Sequence, residues 1–210
     1  MSAGKPHWHI LGAGALGCLY AHALQRSGCQ TALVMRHGVQ QRSLPLVVER
    51  GGTRSVHQMR VITPDAPEVI SHLLVTTKAY DVCSAVAGIA HLLPQDSVLL
   101  LLVNGMGLAE QLREDWPQLD IFCGTSTEGA YTIAPQHIQH AGRGATRIGR
   151  EGQQQPANWF GQWAAAIKPC TWDMHIKAAL WSKLAVNCII NPLTAVHRCT
   201  NGALVQRREL

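Results

Sequence analysis

The chain has 210 residues, of which 47% are hydrophobic and 15% charged, and its formal net charge is +5. This composition provides a folded core and excludes a disordered chain. The basic residues are scattered rather than gathered with aromatic residues in one stripe, so we expect no nucleic-acid partner. The longest apolar run, 98–103, is much shorter than the roughly 18 residues of a membrane-spanning segment, so we expect no membrane partner.

Cysteine and histidine usage narrows the class further. The seven cysteines include no Cys-x-x-Cys pair, which indicates reduced core residues of a cytosolic protein rather than a disulfide frame. The first residues lack the apolar stretch of a signal peptide, so we expect a cytoplasmic location. The closest histidine pairs are His7/His9 and His137/His140. Neither has a second ligand pair at zinc-like spacing, so we expect no metal site.

The spacing of apolar residues predicts strands that alternate with helices. Strands are predicted at 8–12, 30–35, 44–62 (one or two hairpin strands around Gly51 and Gly52), 72–77, 97–103, 121–124, 130–134 and 146–148. Helices are predicted at 15–27, 79–93, 108–116 and 157–167. Strands that alternate with helices indicate right-handed βαβ units and a parallel sheet. The fold class is therefore α/β, with a Rossmann-type doubly wound sheet.

A glycine-rich turn, G-x-G-x-x-G, connects the first predicted strand to the first helix. The first glycine makes the tight turn, the second lets the backbone approach a pyrophosphate, and the third lets the helix pack on the strand. The free N–H groups of the helix would then hold the anion. The alternative is a strand–helix turn that binds nothing. The predicted cofactor-binding residues here are Gly12, Ala13, Gly14, Ala15, Leu16 and Gly17.

The end of the second predicted strand bears on the choice of cofactor. Enzymes that use NAD usually have Asp or Glu there to hold the ribose hydroxyls. This chain has Val34-Met35-Arg36-His37 instead. The guanidinium of Arg36 can pair with a 2′-phosphate, so the sequence favours NADP over NAD. The alternative for Arg36 is an ordinary solvated surface residue.

From residue 175 onward the sequence predicts helix, interrupted only by Pro192. We therefore place a domain boundary near residue 174, with an NADP-binding Rossmann domain at 1–174 and the start of an all-helical domain at 175–210. The apolar stripe of Leu180, Leu184 and Ile190 would lack part of its partner surface. Either another chain supplies that surface, or this chain is the front portion of a longer protein and the helical domain is truncated. We favour the second interpretation.

Polar residues follow two further strands at the edge where a cofactor would bind. Lys78 follows the apolar segment 73–75, and Asn104 follows 98–103 and precedes two nearby glycines. Ligands bind outside the carboxyl ends of such strands, so both residues are candidates for cofactor contact. The alternatives are a surface lysine and a turn-forming asparagine.

In the last segment, one lysine and two asparagines lie at helical spacing. Lys183, Asn187 and Asn191 are spaced i, i+4 and i+8, so they lie along one face of a helix. If these groups are buried, they need hydrogen-bond partners, and a polar anionic substrate would supply them. The alternative is a solvent-facing stripe. The apolar neighbours favour a site.

Together these segments resemble the ketopantoate reductase (2-dehydropantoate 2-reductase) family. The resemblance rests on Gly12 to Gly17, Lys78, the Asn104-Gly-Met-Gly stretch and the 183–195 stretch KLAVNCIINPLTA. It implies NADPH-dependent reduction of 2-dehydropantoate to (R)-pantoate, a step towards pantothenate and coenzyme A. It also implies a Rossmann domain followed by an all-helical domain, with the substrate in the cleft between them.

On the substrate side, the resemblance implies a role for each matching residue. Lys183 matches the catalytic lysine, the proton donor to the carbonyl oxygen. Asn104 matches an asparagine near both nicotinamide and substrate, and Asn187, Asn191 and Asn201 match substrate-binding amides. Hydride transfer to a 2-oxo acid builds negative charge on the carbonyl oxygen, which a nearby ammonium stabilises before it gives up its proton.

On the cofactor side, Lys78 and Ala130 match family contacts, and Arg36 fits the family's preference for the phosphorylated cofactor. Family members continue beyond this length with a serine and a glutamate that contribute to binding, and no residue here matches them. If 210 residues are the whole molecule, we expect cofactor binding to survive in part and turnover to be severely impaired. A homodimer is one assembly that the sequence allows.

Two other hypotheses stay open at this point. The chain could belong to an NADP-dependent reductase of a different 2-oxo acid, which substrate screening would reveal. It could also be a non-catalytic NADPH-binding module, in which case a Lys183→Ala change would affect stability alone.

Overall fold

The fold is described from a computed structural model for residues 6–206. The strands are β1 (Trp8–Leu11), β2 (Thr31–Val34), β3 (Ser43–Arg50), β4 (Thr53–Ile62), β5 (His72–Val75), β6 (Val98–Leu101), β7 (Asp120–Ser126), β8 (Gly129–Ala134), β9 (His137–Gly142), β10 (Thr146–Gly149) and β11 (Cys170–Trp172). The α-helices are α1 (Ala15–Arg26), α2 (Val82–Ala87), α3 (Leu108–Asp115), α4 (Phe160–Ala166), α5 (Ile176–Val196) and α6 (Asn201–Gln206).

The strands of this described part form one sheet in the order β11-β10-β7-β6-β5-β1-β2-β4-β3-β9-β8. Its middle, β4-β2-β1-β5-β6-β7, is parallel throughout. That order is the 3-2-1-4-5-6 arrangement of a dinucleotide-binding sheet. The predicted α/β class with a Rossmann-type sheet is confirmed.

Helices cover both faces of the central strands. The side chains of α1 and α4 pack on one face together with Leu74, whereas those of α2 and α3 pack on the other together with Leu73 and Val75. Successive side chains of a strand point to opposite faces, so a strand covered on both faces is apolar along its whole length. The four residues of β6, all leucine or valine, are accordingly all buried.

Antiparallel pairs extend the parallel sheet at its margins, and β3 and β4 form the predicted hairpin around Gly51 and Gly52. The pairs β3–β4, β7–β10 and β8–β9 are antiparallel. No helix separates β3 from β4, and Gly51 and Gly52 turn the chain with φ of +53° and +78°, values that glycine adopts without strain. The strands β9 and β11 were not predicted. In β9 only Ile138 is buried, so the strand lacks an alternating apolar pattern.

The predicted continuous helix at 79–93 is also wrong. The segment consists of a 3₁₀ turn at Ala79–Asp81, the short helix α2, and a second 3₁₀ turn at Ala90–Leu92. The break falls at Gly88 and Ile89, where Ile89 has φ −123° and is almost fully buried. Burial of the isoleucine side chain in the core outweighs continuation of the helix.

Helix α5 departs from the prediction at Pro192. It continues through Pro192 to Val196, although a proline inside a helix removes one backbone hydrogen bond. The stripe of Leu180, Leu184 and Ile190, predicted to lack part of its cover, is half-buried. The exposed large apolar side chains of α5 belong to Trp181, Val186, Ile189 and Val196.

By length and composition alone, α5 is long and apolar enough to cross a membrane, and it is the one such helix in the described part of the chain. The helix contains no long uninterrupted apolar run, because Lys177 and Lys183 lie within it. A single helix of this kind is weak evidence for a membrane span, because length and composition alone define the test. The absence of a membrane partner stays a prediction.

Candidate active site

The glycine turn after β1 is held tightly by the end of β5. Gly12 has φ +111°, and a Cβ atom there would lie 2.7 Å from the backbone nitrogen of Thr77. A Cβ atom on Gly17 would lie 2.0 Å from the carbonyl oxygen of Gly12. The hydroxyl of Thr76, which the sequence analysis did not single out, donates to the same carbonyl oxygen at 2.7 Å. The first and third glycines are therefore required by packing.

Gly14, unlike Gly12 and Gly17, has open space around it. It is the residue that precedes α1, no side chain caps the helix there, and no atom lies within 4 Å of a Cβ built on it. Open space beside free helix N–H groups fits a pyrophosphate. The turn therefore fits a dinucleotide by the geometry of its own backbone. Ala13, Ala15 and Leu16 are partly buried and pack on the core below it.

Three more predicted residues follow strands that end at the same edge of the sheet as Gly12. Arg36 lies two residues after β2, Lys78 three residues after β5, and Asn104 three residues after β6. All three are exposed. Because β2, β1, β5 and β6 are adjacent and parallel, these residues lie along one edge. Ala130, in β8, is partly buried and packs against the core cluster that includes α1 residues.

Lys183 on α5 reaches the end of β7. Its Nζ atom donates to the carbonyl oxygen of Ser126 at 2.5 Å. Ser126 is the last residue of β7, three positions beyond Cys123, which pairs with Leu101 of β6. Since β7 is parallel to β6, the lysine head lies at the same sheet edge as the glycine turn.

The surroundings of this ammonium make it a better proton donor than a surface lysine. Lys183 is half-buried, and burial lowers the pKa of its amino group below the ordinary lysine value. Its hydrogen-bond acceptor is a neutral carbonyl. None of the ion pairs found in the described part of the chain involves Lys183, whereas Lys177, six residues earlier on the same helix, pairs with Glu110 at 2.9 Å.

A buried hydroxyl network fixes Ser126 from the other side. The phenol of Tyr20 on α1 lies 2.7 Å from the Oγ atom of Ser126 and 2.7 Å from the Oγ1 atom of Thr146 on β10. All three side chains are nearly inaccessible to solvent. Burial raises the pKa of Tyr20 to about 12, so the phenol stays a hydrogen-bond donor. No sequence signal could have indicated these contacts, because Tyr20 is more than a hundred positions from both of its partners.

The predicted substrate-binding amides differ in how far they are exposed to solvent. Asn187 is half-buried, as Lys183 is, whereas Asn191 is exposed. Each step of four residues rotates a side chain by about 40°, so after two steps Asn191 has turned towards solvent. Asn201, the first residue of α6, is also exposed. Their roles in substrate binding stay predictions.

A cavity of about 290 Å³ lies between α3 and the first turns of α5. The loop 105–107, Glu110, Arg113, Lys177 and Leu180 contribute to its lining. Neither Lys183 nor Asn104 lines it, so we do not assign it to the substrate.

One group of side chains could offer ligands to a metal ion. His7, His9 and Glu68 have ligand atoms within 4.8 Å of one another in the described part of the chain. However, the guanidinium of Arg60 donates to both carboxylate oxygens of Glu68, and an ion would have to displace it. The sequence-based expectation of no metal site stays a prediction.

Comparison with protein families gives two matches along the chain. Residues 8–153 match the family described as ketopantoate reductase PanE/ApbA, and residues 175–210 match ketopantoate reductase PanE/ApbA C terminal. The 2-dehydropantoate 2-reductase of Vibrio cholerae is 35% identical over 204 residues, covering 93% of this chain and 65% of the relative. The chain thus spans slightly less than two thirds of that protein's length.

Solved structures show the same fold. A PanE/ApbA family ketopantoate reductase from Ralstonia eutropha superposes with a TM-score of 0.79 at 28% identity, covering 96% of this chain and 68% of that one. A ternary structure of D-mandelate dehydrogenase with NADH and anilino(oxo)acetate gives a TM-score of 0.80 at 22% identity, covering 90% and 63%. The second likeness concerns the fold alone.

Proposed function

The chain belongs to the ketopantoate reductase family, and we propose that the protein it forms reduces 2-dehydropantoate to (R)-pantoate. The family uses NADPH, and the reaction is a step towards pantothenate and coenzyme A. The observation that carries the proposal is the position of Lys183. Its ammonium lies at the carboxyl edge of the parallel strands, the edge that also carries the glycine turn.

The cofactor end of the proposal rests on the open backbone at Gly14 and on Arg36. The N–H groups at the start of α1 would hold the pyrophosphate, and the Arg36 guanidinium would pair with the 2′-phosphate. Arg36 is exposed and takes part in no ion pair in the described residues, so it is available for this contact. Lys78, Asn104 and Ala130 are proposed as further cofactor contacts.

NADPH, when bound, supplies the hydride. The chain's own part is to stabilise the negative charge that develops on the carbonyl oxygen and to protonate it. Lys183 does both, because its ammonium is partly desolvated and its acceptor, the Ser126 carbonyl, carries no charge that would neutralise it. Asn104, Asn187, Asn191 and Asn201 are proposed to hold the polar groups of the substrate without adding charge.

Several expectations remain part of the proposal. The sheet gives way to helices between β11 and α5, and the domain boundary near residue 174 stays a prediction. A homodimer and a cytoplasmic location also stay predictions. A small molecule as substrate follows from the family.

The experiment that tests the function has two parts. Calorimetric titration of the chain with NADPH and with NADH measures cofactor choice, and NADPH should bind at least about tenfold more tightly, as expected for one charge-assisted pair. Loss of NADPH absorbance on addition of 2-dehydropantoate measures turnover. NADPH binding together with turnover of a different 2-oxo acid, and not of 2-dehydropantoate, would contradict the proposed substrate.

A further inference from the structure

A second cavity lies on the far side of Ser126 from Lys183, and Tyr20, whose hydroxyl bonds to Ser126, contributes to its lining. It has a volume of about 850 Å³ and runs between α1, the β3–β4 hairpin, the region of His140 and Arg143, and the end of α4. Arg26, at its rim, is twelve residues after Gly14. At 1.5 Å per residue these two positions are about 18 Å apart along α1. We call this cavity the basic groove, after the four cations at its rim: Arg26, Arg50, Arg143 and Lys168.

The four rim cations are exposed and lack acidic partners. None of them takes part in a side-chain hydrogen bond or ion pair found in the described part of the chain. Other cations of the chain are paired, as Arg60 with Glu68, Arg150 with Asp120 and Lys177 with Glu110. The unpaired charges repel one another across the groove, and an anion bound between them would remove that repulsion.

A single carboxylate lies in the groove wall, and it is already occupied. The Oε2 atom of Glu128 is 2.6 Å from the Nε2 atom of His140, and both side chains are only 10% exposed. Glu128 therefore cannot neutralise four arginine and lysine side chains that point to solvent. The groove as a whole is a cationic surface.

The inner wall adds apolar area and neutral polar groups. Its apolar members include Leu19, Ala23, Val48, Ala165, Ala166 and Ile167. His22 also lines it and hydrogen-bonds to Ser55 at 3.0 Å. Burial lowers the pKa of His22 to about 4, with a further contribution from His57, so this ring is neutral at physiological pH. The groove thus has a charged rim and a largely uncharged floor.

We propose that the basic groove binds a small organic polyphosphate, separate from the dinucleotide turn. The phosphate groups would lie between Arg26, Arg50, Arg143 and Lys168, and the organic part would lie on the apolar floor. Arginine pairs with phosphate through two parallel hydrogen bonds, which suits a rim rich in this residue. A volume of about 850 Å³ is within the range of small-molecule sites.

The test is calorimetric titration of the 210-residue chain with ATP in the presence of saturating NADP⁺ and without divalent cations. The double variant Arg50→Ala/Arg143→Ala removes two rim charges. Arg54→Ala is the matched control, because Arg54 is exposed on the same hairpin but does not line the groove. We expect one ATP site in the wild type, at least tenfold weaker binding in the double variant, and a change below twofold in the control.

Three results would overturn the inference. The first is the absence of ATP binding when NADP⁺ is present, and the second is equal weakening by Arg54→Ala. The third is that pyrophosphate binds as tightly as ATP, which would show that the apolar floor contributes nothing to binding. Failure of the proposed function is a separate result, since it would show as a lack of NADP⁺ binding, with the dependence of ATP binding on Arg50 and Arg143 unaffected.

Discussion

The ammonium of Lys183 donates to the carbonyl oxygen of Ser126 at 2.5 Å, so the first long helix after the sheet is attached to the end of β7. Ser126 is in turn bonded through its hydroxyl to Tyr20 of α1. The helix that begins at the glycine turn and the helix that carries the proposed proton donor therefore meet at one residue. This connection makes the chemistry of Lys183 depend on contacts that lie behind the site.

Turnover should fall on the alkaline side at a pH below the ordinary lysine value of 10.5, because burial lowers the pKa of Lys183. Proton donation needs the ammonium form, so the rate is full at pH below the lowered pKa and is lost as the pH rises through it. The measurement is kcat against pH at saturating NADPH and 2-dehydropantoate. A profile that stays level up to pH 10.5 would contradict the assignment.

Removal of the Tyr20 hydroxyl should weaken the anchor of Lys183. Tyr20→Phe keeps the ring but breaks both hydrogen bonds at 2.7 Å, which should lower the free energy of unfolding by about 1–2 kcal/mol. We expect kcat to fall several-fold, with the alkaline limb displaced and the affinity for NADPH unchanged. Tyr131→Phe is the control, because that side chain is exposed. An unchanged pH profile in Tyr20→Phe would show that the network is merely structural.

The glycines of the turn should separate into two classes on substitution. Gly17→Ala would put a methyl group 2.0 Å from the Gly12 carbonyl oxygen, and the overpacking should cost about 3 kcal/mol of stability. Gly14→Ala meets no atom within 4 Å, so its stability should change by less than about 1 kcal/mol. It should nevertheless lose NADPH affinity. Chemical denaturation and cofactor titration of both variants check this, and equal stability losses would contradict it.

Arg36→Ala should change the choice between cofactors. Loss of the pair with the 2′-phosphate should weaken NADPH binding about tenfold and leave NADH binding within twofold. Arg42→Ala, an exposed arginine further along the same connection, should change neither. Calorimetric titration with both cofactors measures the effect. If both variants weaken NADPH equally, the contact is general electrostatic attraction rather than recognition by Arg36.

The central sheet was predictable because its strands are short, continuous apolar runs separated by helical patterns. The segments 72–77 and 97–103 contain β5 and β6, and the glycine turn fixes where β1 gives way to α1. The margins were not predictable to the same degree. In β9 the buried residue Ile138 stands alone, and the break after α2 depends on the burial of Ile89, which a helical pattern does not reveal.

The candidate site was also predictable only in part. Helical spacing predicts Lys183 and Asn187 on one face of a helix, and both residues are half-buried in α5. The contacts of Ser126, Tyr20 and Thr146 join α1, β7 and β10. They depend on tertiary packing between distant segments, and residue spacing carries no information about such packing.

The most direct test of the account is the Lys183→Ala variant, measured for NADPH affinity and for turnover of 2-dehydropantoate at saturating NADPH. The account predicts a loss in kcat of at least about a hundredfold, the usual contribution of general acid catalysis, with the dissociation constant for NADPH within threefold of wild type. Turnover equal to that of the wild type, with the same cofactor affinity, would contradict the assignment of Lys183 as the proton donor.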